Sequence, residues 1–520
     1  MTAQRTSRPR IGLLAGLLAA AAGEITASAT RRGRSPSSGL ARGLVDASPA
    51  ALVDGGVALV GRADKPGLAV LAAGAGGLAA AAGGALAGRR PLLGAATAAA
   101  PHVLGGSLAL RRGDASTRDT AAAAAAGLLV AATAVAPLRV RPSVVPVAAA
   151  VAAGAVVAAD RRARRRAAGL RDRITLPPPA RPLPRPPADA AARQPGLAPL
   201  LAEPGELPVI DVTVPEPRVD VDAWRLVVDG EVAEVLALSL HELLALPLDE
   251  RDLLMVCVHN PVGGRRMGCA RWTGLGVGEL LDRAGHTGED GWVVAEAVDG
   301  YTNVLPLDVA RRAFLAVGMA GRPLPREHGS PARLLVPGRH GQDGNLKWLR
   351  RITVTAQPPP SYWGRRGWRD GTYPVHPASR IDAPADHSRV EAGRTTVRGY
   401  AWAPTVGVDR VQLRVDDGPW TDAALGVDLG PDAWRPWSAP WEATRGRHRL
   451  TVRCRTTDGR WQDETTSTPY PHGVHGAHGI GVQVGGNPAT SAVRSLAGQA
   501  ATRMGWATRS TAAWRNSRSA

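Results

Sequence analysis

Residues 66 to 88 contain no charged side chain and end at the pair Arg89 and Arg90. A run of that length matches the roughly 20 apolar residues an α-helix needs to cross about 30 Å of hydrocarbon. The pattern recurs along the first third of the chain. Residues 11 to 29 are apolar apart from Glu24 and follow a basic tail with Arg5, Arg8 and Arg10. Residues 91 to 110, 121 to 138 and 142 to 159 are closed by Arg111, Arg139 and Asp160. The first run is too long for a signal peptide and lacks its cleavage site. About five membrane spans are therefore expected within residues 1 to 160. Their abundant Ala and Gly suit lipid, where helices associate through close backbone approach. Glu24 is a candidate for a proton path or ligand, and equally for a helix end at the interface.

The net charge is +18, yet lysine occurs only at Lys65 and Lys347, so the excess is almost all arginine. The basic residues gather at the ends of apolar stretches instead of alternating with aromatics along a groove, which favours lipid as the partner and argues against nucleic acid. Cys257, Cys269 and Cys454 offer neither a disulfide framework nor zinc-finger spacing. Five spans from a cytoplasmic N-terminus place the rest of the chain outside the cytoplasm. The cluster Arg161, Arg162, Arg164, Arg165 and Arg166 argues the reverse, because positive charge near span ends stays cytoplasmic. The expectation is a multi-pass protein of the cell membrane with the rest of the chain outside the cytoplasm.

Beyond the spans, residues 161 to 206 read as a basic and proline-rich linker, extended and semi-rigid through 177 to 187. Residues 207 to 372 have mixed globular texture. Trp224 to Gly230 is strand-like, and Ser239 with Glu242 three residues on predicts a capped short helix. Residues 373 to 486 carry short strands, among them Thr395 to Tyr400, Arg410 to Val415 and His448 to Arg455, separated by Asp-Gly turns, as in a β-sandwich. Residues 487 to 520 have the composition of a disordered tail. The fold class expected is α+β: N-terminal transmembrane helices, a mixed α/β domain and a C-terminal sandwich.

Chemistry concentrates in Leu254-Met-Val-Cys-Val-His-Asn-Pro-Val-Gly-Gly264, where Cys257 ends an apolar strand and a turn follows at once. A thiolate in such a place suits a soft or redox-active metal, and the alternative is a small core residue. Lys347 stands out in a chain that otherwise uses arginine. His472, His475 and His478 lie among glycines that break any helix able to align their rings.

The Cys257 segment resembles the sulfite oxidase family of molybdopterin oxidoreductases. So do Gly268-Cys-Ala-Arg-Trp-Thr-Gly274, Asp299-Gly-Tyr-Thr302, Glu327-His-Gly-Ser-Pro-Ala-Arg333 and Lys347-Trp348, all in the family's order. The resemblance implies a molybdenum-molybdopterin cofactor with Cys257 as protein ligand to the metal and Asn260 shaping the turn. It implies that His328, Arg333 and Lys347 hold the pterin phosphate, with Asp299 and Asn345 completing the cofactor-binding set. A forked guanidinium and a point-charge ammonium converging on an anion agree with that role. Val397-Arg-Gly-Tyr-Ala-Trp402 and Val411-Gln-Leu-Arg-Val-Asp-Asp-Gly418 resemble the immunoglobulin-like dimerisation domain that accompanies this family, which implies a homodimer.

The chain also departs from the family. Val209 stands where an arginine reaches toward the pterin, His259 where a small residue is common, and Cys269 where Asn or Ser is frequent. Pro261 and Val262 replace paired arginines, and Arg339 to Asp343 replaces a more apolar, tyrosine-containing loop. A dianionic substrate loses part of its clamp. The reading is oxygen-atom transfer on a small oxyanion or sulfoxide-like substrate, with electrons passed to a separate protein. The alternative is a cofactor-free relative kept as a membrane-tethered binding or structural module.

Overall fold

In the computed structural model the described residues are 174–485, apart from 192–193, 211, 213–215, 218, 367–373 and 469–472, together with isolated positions between 82 and 100. The five expected spans therefore lie outside the described residues except at those isolated positions. Among the described residues no helix is long and apolar enough to cross a membrane.

The first domain is built on two sheets. One has the order β2-β1-β11-β5-β6, from β1 (Arg225–Gly230), β2 (Leu236–Ser239), β5 (Trp292–Ala297), β6 (Thr302–Pro306) and β11 (Leu349–Thr355). Its β1 and β11 run parallel and the remaining pairs antiparallel. The other has the order β10-β9-β7-β4-β3, from β3 (Asp249–Val256), β4 (Met267–Gly276), β7 (Phe314–Met319), β9 (Arg333–Leu335) and β10 (Asn345–Leu346), with β8 (Arg322–Pro323) added on β7. Every residue of β7 is buried, which explains its continuous apolar sequence, Phe-Leu-Ala-Val-Gly-Met.

Short helices fill the connections: α1 (Ala188–Ala191), α2 (Leu240–Leu244), α3 (Val277–Arg283), α4 (Leu307–Arg312) and α5 (Gly341–Gly344). Strands thus carry more of this mixed domain than helices do. The predicted cap is present. Ser239 Oγ accepts from Glu242 N at 3.2 Å while Ser239 N donates to the Glu242 carboxylate at 2.7 Å, which satisfies two donors that a helix start leaves bare.

The second domain is an immunoglobulin-like sandwich. One sheet, β12-β14-β18-β17, uses β12 (Ala378–Ala383), β14 (Gly393–Trp402), β17 (Ala424–Leu425) and β18 (Arg435–Ala443). The other, β13-β20-β19-β15-β16, uses β13 (Arg389–Val390), β15 (Val408–Val415), β16 (Thr421–Asp422), β19 (Gly446–Thr456) and β20 (His478–Val484). Val397, Val411, Leu413, Trp437, Leu450 and Val452 form the apolar layer between them.

Alternation along β3 and β4 joins the two domains. Leu253 and Ala270 enter one core with Trp272 and Phe314, whereas their neighbours Leu254 and Cys269 enter a second core with Tyr400, Trp402 and Trp434 of the sandwich. Of the segment expected as a linker, Leu200 enters the second core and Ala202 the first, and Leu207 directly after it joins the first. Trp434 Nε1 donates to the Leu200 carbonyl at 2.8 Å, and Arg181 forks onto Asp249 at 2.6 and 2.8 Å.

Candidate functional site

Cys257 follows the last residue of β3 and is half-buried. A tight set of bonds shapes the turn after it. Cys257 N donates to the Arg266 carbonyl at 3.0 Å, Asn260 N to the Cys257 carbonyl at 2.9 Å, and Gly264 N to the Pro261 carbonyl at 2.8 Å. Asn260 is 2% exposed, and its Oδ1 accepts from Arg266 N at 2.8 Å. The amide side chain ties the two ends of the turn together.

A second group forms around the 3₁₀ turn Arg326–His328. His328 is fully buried, and its Nε2 bonds the Pro204 carbonyl at 2.7 Å. Arg333, in β9, donates from Nη1 to the His328 carbonyl at 3.2 Å and from Nη2 to Asn345 Oδ1 at 3.3 Å. Lys347 donates to the Glu327 carbonyl at 2.7 Å, and its Nζ lies 5.2 Å from the Trp348 ring centre. Gly329 makes this convergence possible: its φ is +107°, and a β-carbon there would stand 3.0 Å from Lys347 Cα and Cβ. Arg333 and Lys347 are both more than nine-tenths buried. Burial, then the nearby Arg333 and Lys347, pull the His328 ring down to about 4, so it is neutral at pH 7.

Asp299 is buried in the turn after β5, where its Oδ1 accepts from Tyr301 N at 3.1 Å. The neighbouring Val298 N donates to the Trp348 carbonyl at 2.9 Å, which sets this turn beside Lys347. The structure thus gathers His328, Arg333, Asn345 and Lys347, with Asp299 adjoining through the backbone, and keeps Cys257 and Asn260 as a separate turn. Helix α5 links the two: a β-carbon on Gly341 would sit 3.9 Å from Cys257 Cα, and the residue after the helix is Asn345.

Several buried polar groups along this path were not singled out by sequence. Both amide atoms of Gln342, Asn303 Oδ1 and Thr302 Oγ1 meet no hydrogen-bond partner among the described residues, and neither does Nδ1 of His328, a residue already expected at the site. Each such atom costs about 1–3 kcal/mol if left unanswered. Their concentration beside a buried cationic pair fits a ligand rich in donors and acceptors that ends in an anion, as a pterin phosphate does. The only advance signals were the position of Thr302 and Asn303 directly after Asp299-Gly-Tyr and the atypical Arg339 to Asp343 loop. That loop lacks a tyrosine of its own, but Tyr301 donates its hydroxyl to the Gln342 carbonyl at 2.7 Å, and burial raises that phenol well above its ordinary range.

One departure takes another place. Cys269 is fully buried inside the core shared with the sandwich, and burial pushes its thiol pKa up. Of the three late histidines, His475 donates from Nδ1 to the Thr465 carbonyl at 2.7 Å and His478 Nδ1 accepts from Ile381 N at 3.0 Å, while His472 lies outside the described residues.

Residues 212–363 match the oxidoreductase molybdopterin binding domain, and residues 377–452 match a bacterial Ig domain. The chain is 32% identical to the sulfite oxidase of Gallus gallus over 327 residues, covering 52% of this chain and 70% of that protein. It is 31% identical to the mitochondrial sulfite oxidase of Mus musculus over 294 residues, 47% of this chain and 54% of that one. The chain thus spans about half the length of the mammalian relatives it matches. Among solved structures, the sulfane dehydrogenase SoxCD from Paracoccus pantotrophus aligns with a TM-score of 0.43 and 23% identity, covering 47% of this chain and 70% of that one. By its matched domain and its extent of identity to the avian enzyme, the chain belongs to the sulfite oxidase family of molybdopterin oxidoreductases, whose cofactor is molybdenum-molybdopterin.

Proposed function

We propose that the protein is a membrane-tethered molybdenum oxidoreductase that transfers an oxygen atom to or from a small oxyanion or a sulfoxide-like substrate. One observation carries the reading: α5 joins the turn presenting the half-buried Cys257 thiol to a buried cluster where Arg333, Lys347 and His328 converge. When bound, the molybdenum supplies the oxygen-atom and redox chemistry.

The chain's own residues bind and orient. Cys257 is the proposed protein ligand to the metal, on a turn held in shape by Asn260. Arg333 and Lys347 are the proposed grip on the phosphate, one as a fork and one as a point charge. Asn345 steadies the Arg333 guanidinium, and Asp299 and Gln342 would help to hold the pterin. A phosphate dianion beside His328 would favour the imidazolium, so cofactor docking is expected to draw a proton onto Nδ1, turning it from acceptor to donor. The Pro261 and Val262 turn, without arginines, supports a substrate of lower charge than a dianion.

A homodimer through the sandwich, a separate electron-transfer protein, and residues 1 to 160 as the membrane anchor with the catalytic part outside complete the proposal. The test is metal content. Full-length protein from a host that makes the cofactor should hold molybdenum and pterin near one per chain, and Cys257→Ser should lose turnover while melting within a few degrees of the parent. Wild-type turnover in Cys257→Ser, or a folded wild-type chain free of molybdenum and pterin, would refute it.

A further inference from the structure

The strand and turn that carry Cys257 are gripped from outside their own domain. β3 is the edge strand of its sheet, and Leu254 N donates across to the Asp432 carbonyl of the sandwich at 2.9 Å. Beyond the thiol, Arg380 of β12 donates from Nη1 to the Gly264 carbonyl at 2.8 Å. The Arg380 side chain is 2% exposed and that of Asp382 is 1% exposed. Arg380 Nε and Nη2 clasp the two Asp382 oxygens, the latter at 3.1 Å, and Asp382 Oδ2 also accepts from Ala198 N at 3.0 Å. One edge of the guanidinium therefore neutralises a buried carboxylate, and the remaining nitrogen is left for the turn.

One residue earlier, the His478 ring fills the space beside Gly263. A β-carbon there would lie 2.1 Å from His478 Nε2, and the residue has φ +71°. Since His478 Nδ1 accepts from Ile381 N, the ring is wedged between the turn and β12. The bonded path runs from Arg380 to Gly264, then through Pro261 and Asn260 to the Cys257 backbone. Asp382 cancels the charge of Arg380, so the influence on Cys257 is geometric.

We propose that Arg380, braced by Asp382 and His478, is a positioning residue that locks the turn presenting Cys257, so that the sandwich domain sets the exposure and reach of that thiol. Its consequence for catalysis rests on the metal-ligand reading above, whereas the lock itself does not.

The test uses the full chain from a host unable to make the pterin, labelled with iodoacetamide and read by peptide mass. Cys269 and Cys454 are fully buried with thiols pushed up by burial, so they report opening of the fold as a whole. Arg380→Met with Asp382→Asn removes the ion pair without stranding a buried charge. Arg380→Lys keeps the charge and gives up the fork. Labelling of Cys257 is expected to rise about tenfold in the double variant and less in Arg380→Lys, with Cys269 and Cys454 still protected, as when a local turn opens and the core stays closed. An unchanged Cys257 rate in both variants, or a parallel rise at all three thiols, overturns the proposal. Because no metal is present, this result and the molybdenum content of the wild-type chain can each fail alone.

Discussion

Acid should unfold the described part of this protein through its histidines. His328, His340 and His478 are each lowered from 6.5 to about 4, in every case first by burial and then by a neighbour: Arg333, His376 and Arg380 respectively. A ring kept neutral by the fold costs nothing above its unfolded pKa, where both states are neutral. Between 6.5 and 4 the unfolded state takes up a proton that the folded state refuses, so stability falls as pH falls; below 4 the loss levels off. At pH 5 each ring contributes about 2 kcal/mol of lost stability, and the three together about 6, against the roughly 5–15 kcal/mol of an ordinary domain. Carboxylates held low, such as Asp409 beside Arg455, add their loss only below the carboxylate range. His448, raised chiefly by its bond to Asp416, works in the opposite sense and loses its contribution as pH rises. The assay is urea unfolding of the cofactor-free full chain in detergent, followed by tryptophan fluorescence from pH 7.5 to 4.5. The stability should drop with a slope near three protons, and His340→Gln should remove about one of them. A flat profile from pH 7 to 5, or the same slope in His340→Gln, would refute the assignment of neutral buried rings.

Arg333→Met removes a charge-assisted contact of about 1.5–3 kcal/mol, so pterin retention should weaken roughly 10- to 100-fold in dialysis. Full occupancy with collapsed turnover per molybdenum would point instead to a substrate clamp. Trp434→Ala deletes a ring stacked 4.0 Å from Tyr400 and bonded to Leu200, and should cost about 3–5 kcal/mol in urea unfolding; a loss under 1 kcal/mol would mean that the shared core contributes little. On right-side-out cells, a proline-specific endoprotease should cut within 177 to 187 if the catalytic part faces outward, and protection until lysis would place it inside.

How much of this was readable beforehand follows sequence separation. The cap at Ser239 and Glu242 spans three residues, so its spacing is visible in the chain, and the strand-then-turn around Cys257 is equally local. The sandwich strands announced themselves through alternation, which β14, β15 and β19 extend by a residue or two at their ends. The cations proposed for the phosphate could be named only through resemblance, because no period encodes that Arg333 meets Asn345 and Lys347 meets the Glu327 carbonyl. The contacts that unite the domains were out of reach: Arg380 and Gly264 are 116 residues apart, and Trp434 and Leu200 are 234.

The same contacts change how the atypical turn is understood. Judged by composition, Pro261-Val-Gly-Gly264 is a loss, since two arginines are missing where an anion would be held. In the structure Gly263 admits the His478 ring and Gly264 offers its carbonyl to Arg380, contacts that no side chain on the turn makes. A β-carbon at 263 would collide with the ring. One at 264 would stand 2.6 Å from Asn260 Oδ1 and from Pro261 Cδ, inside the turn itself. Arg380 of the neighbouring domain is neutralised by Asp382, and its guanidinium orients the backbone of the turn. If that is how this turn works, an arginine restored at Val262 should strengthen binding of a dianion such as sulfate. The exposure of Cys257 should stay as it is, because the two residues that lock the turn would still be in place.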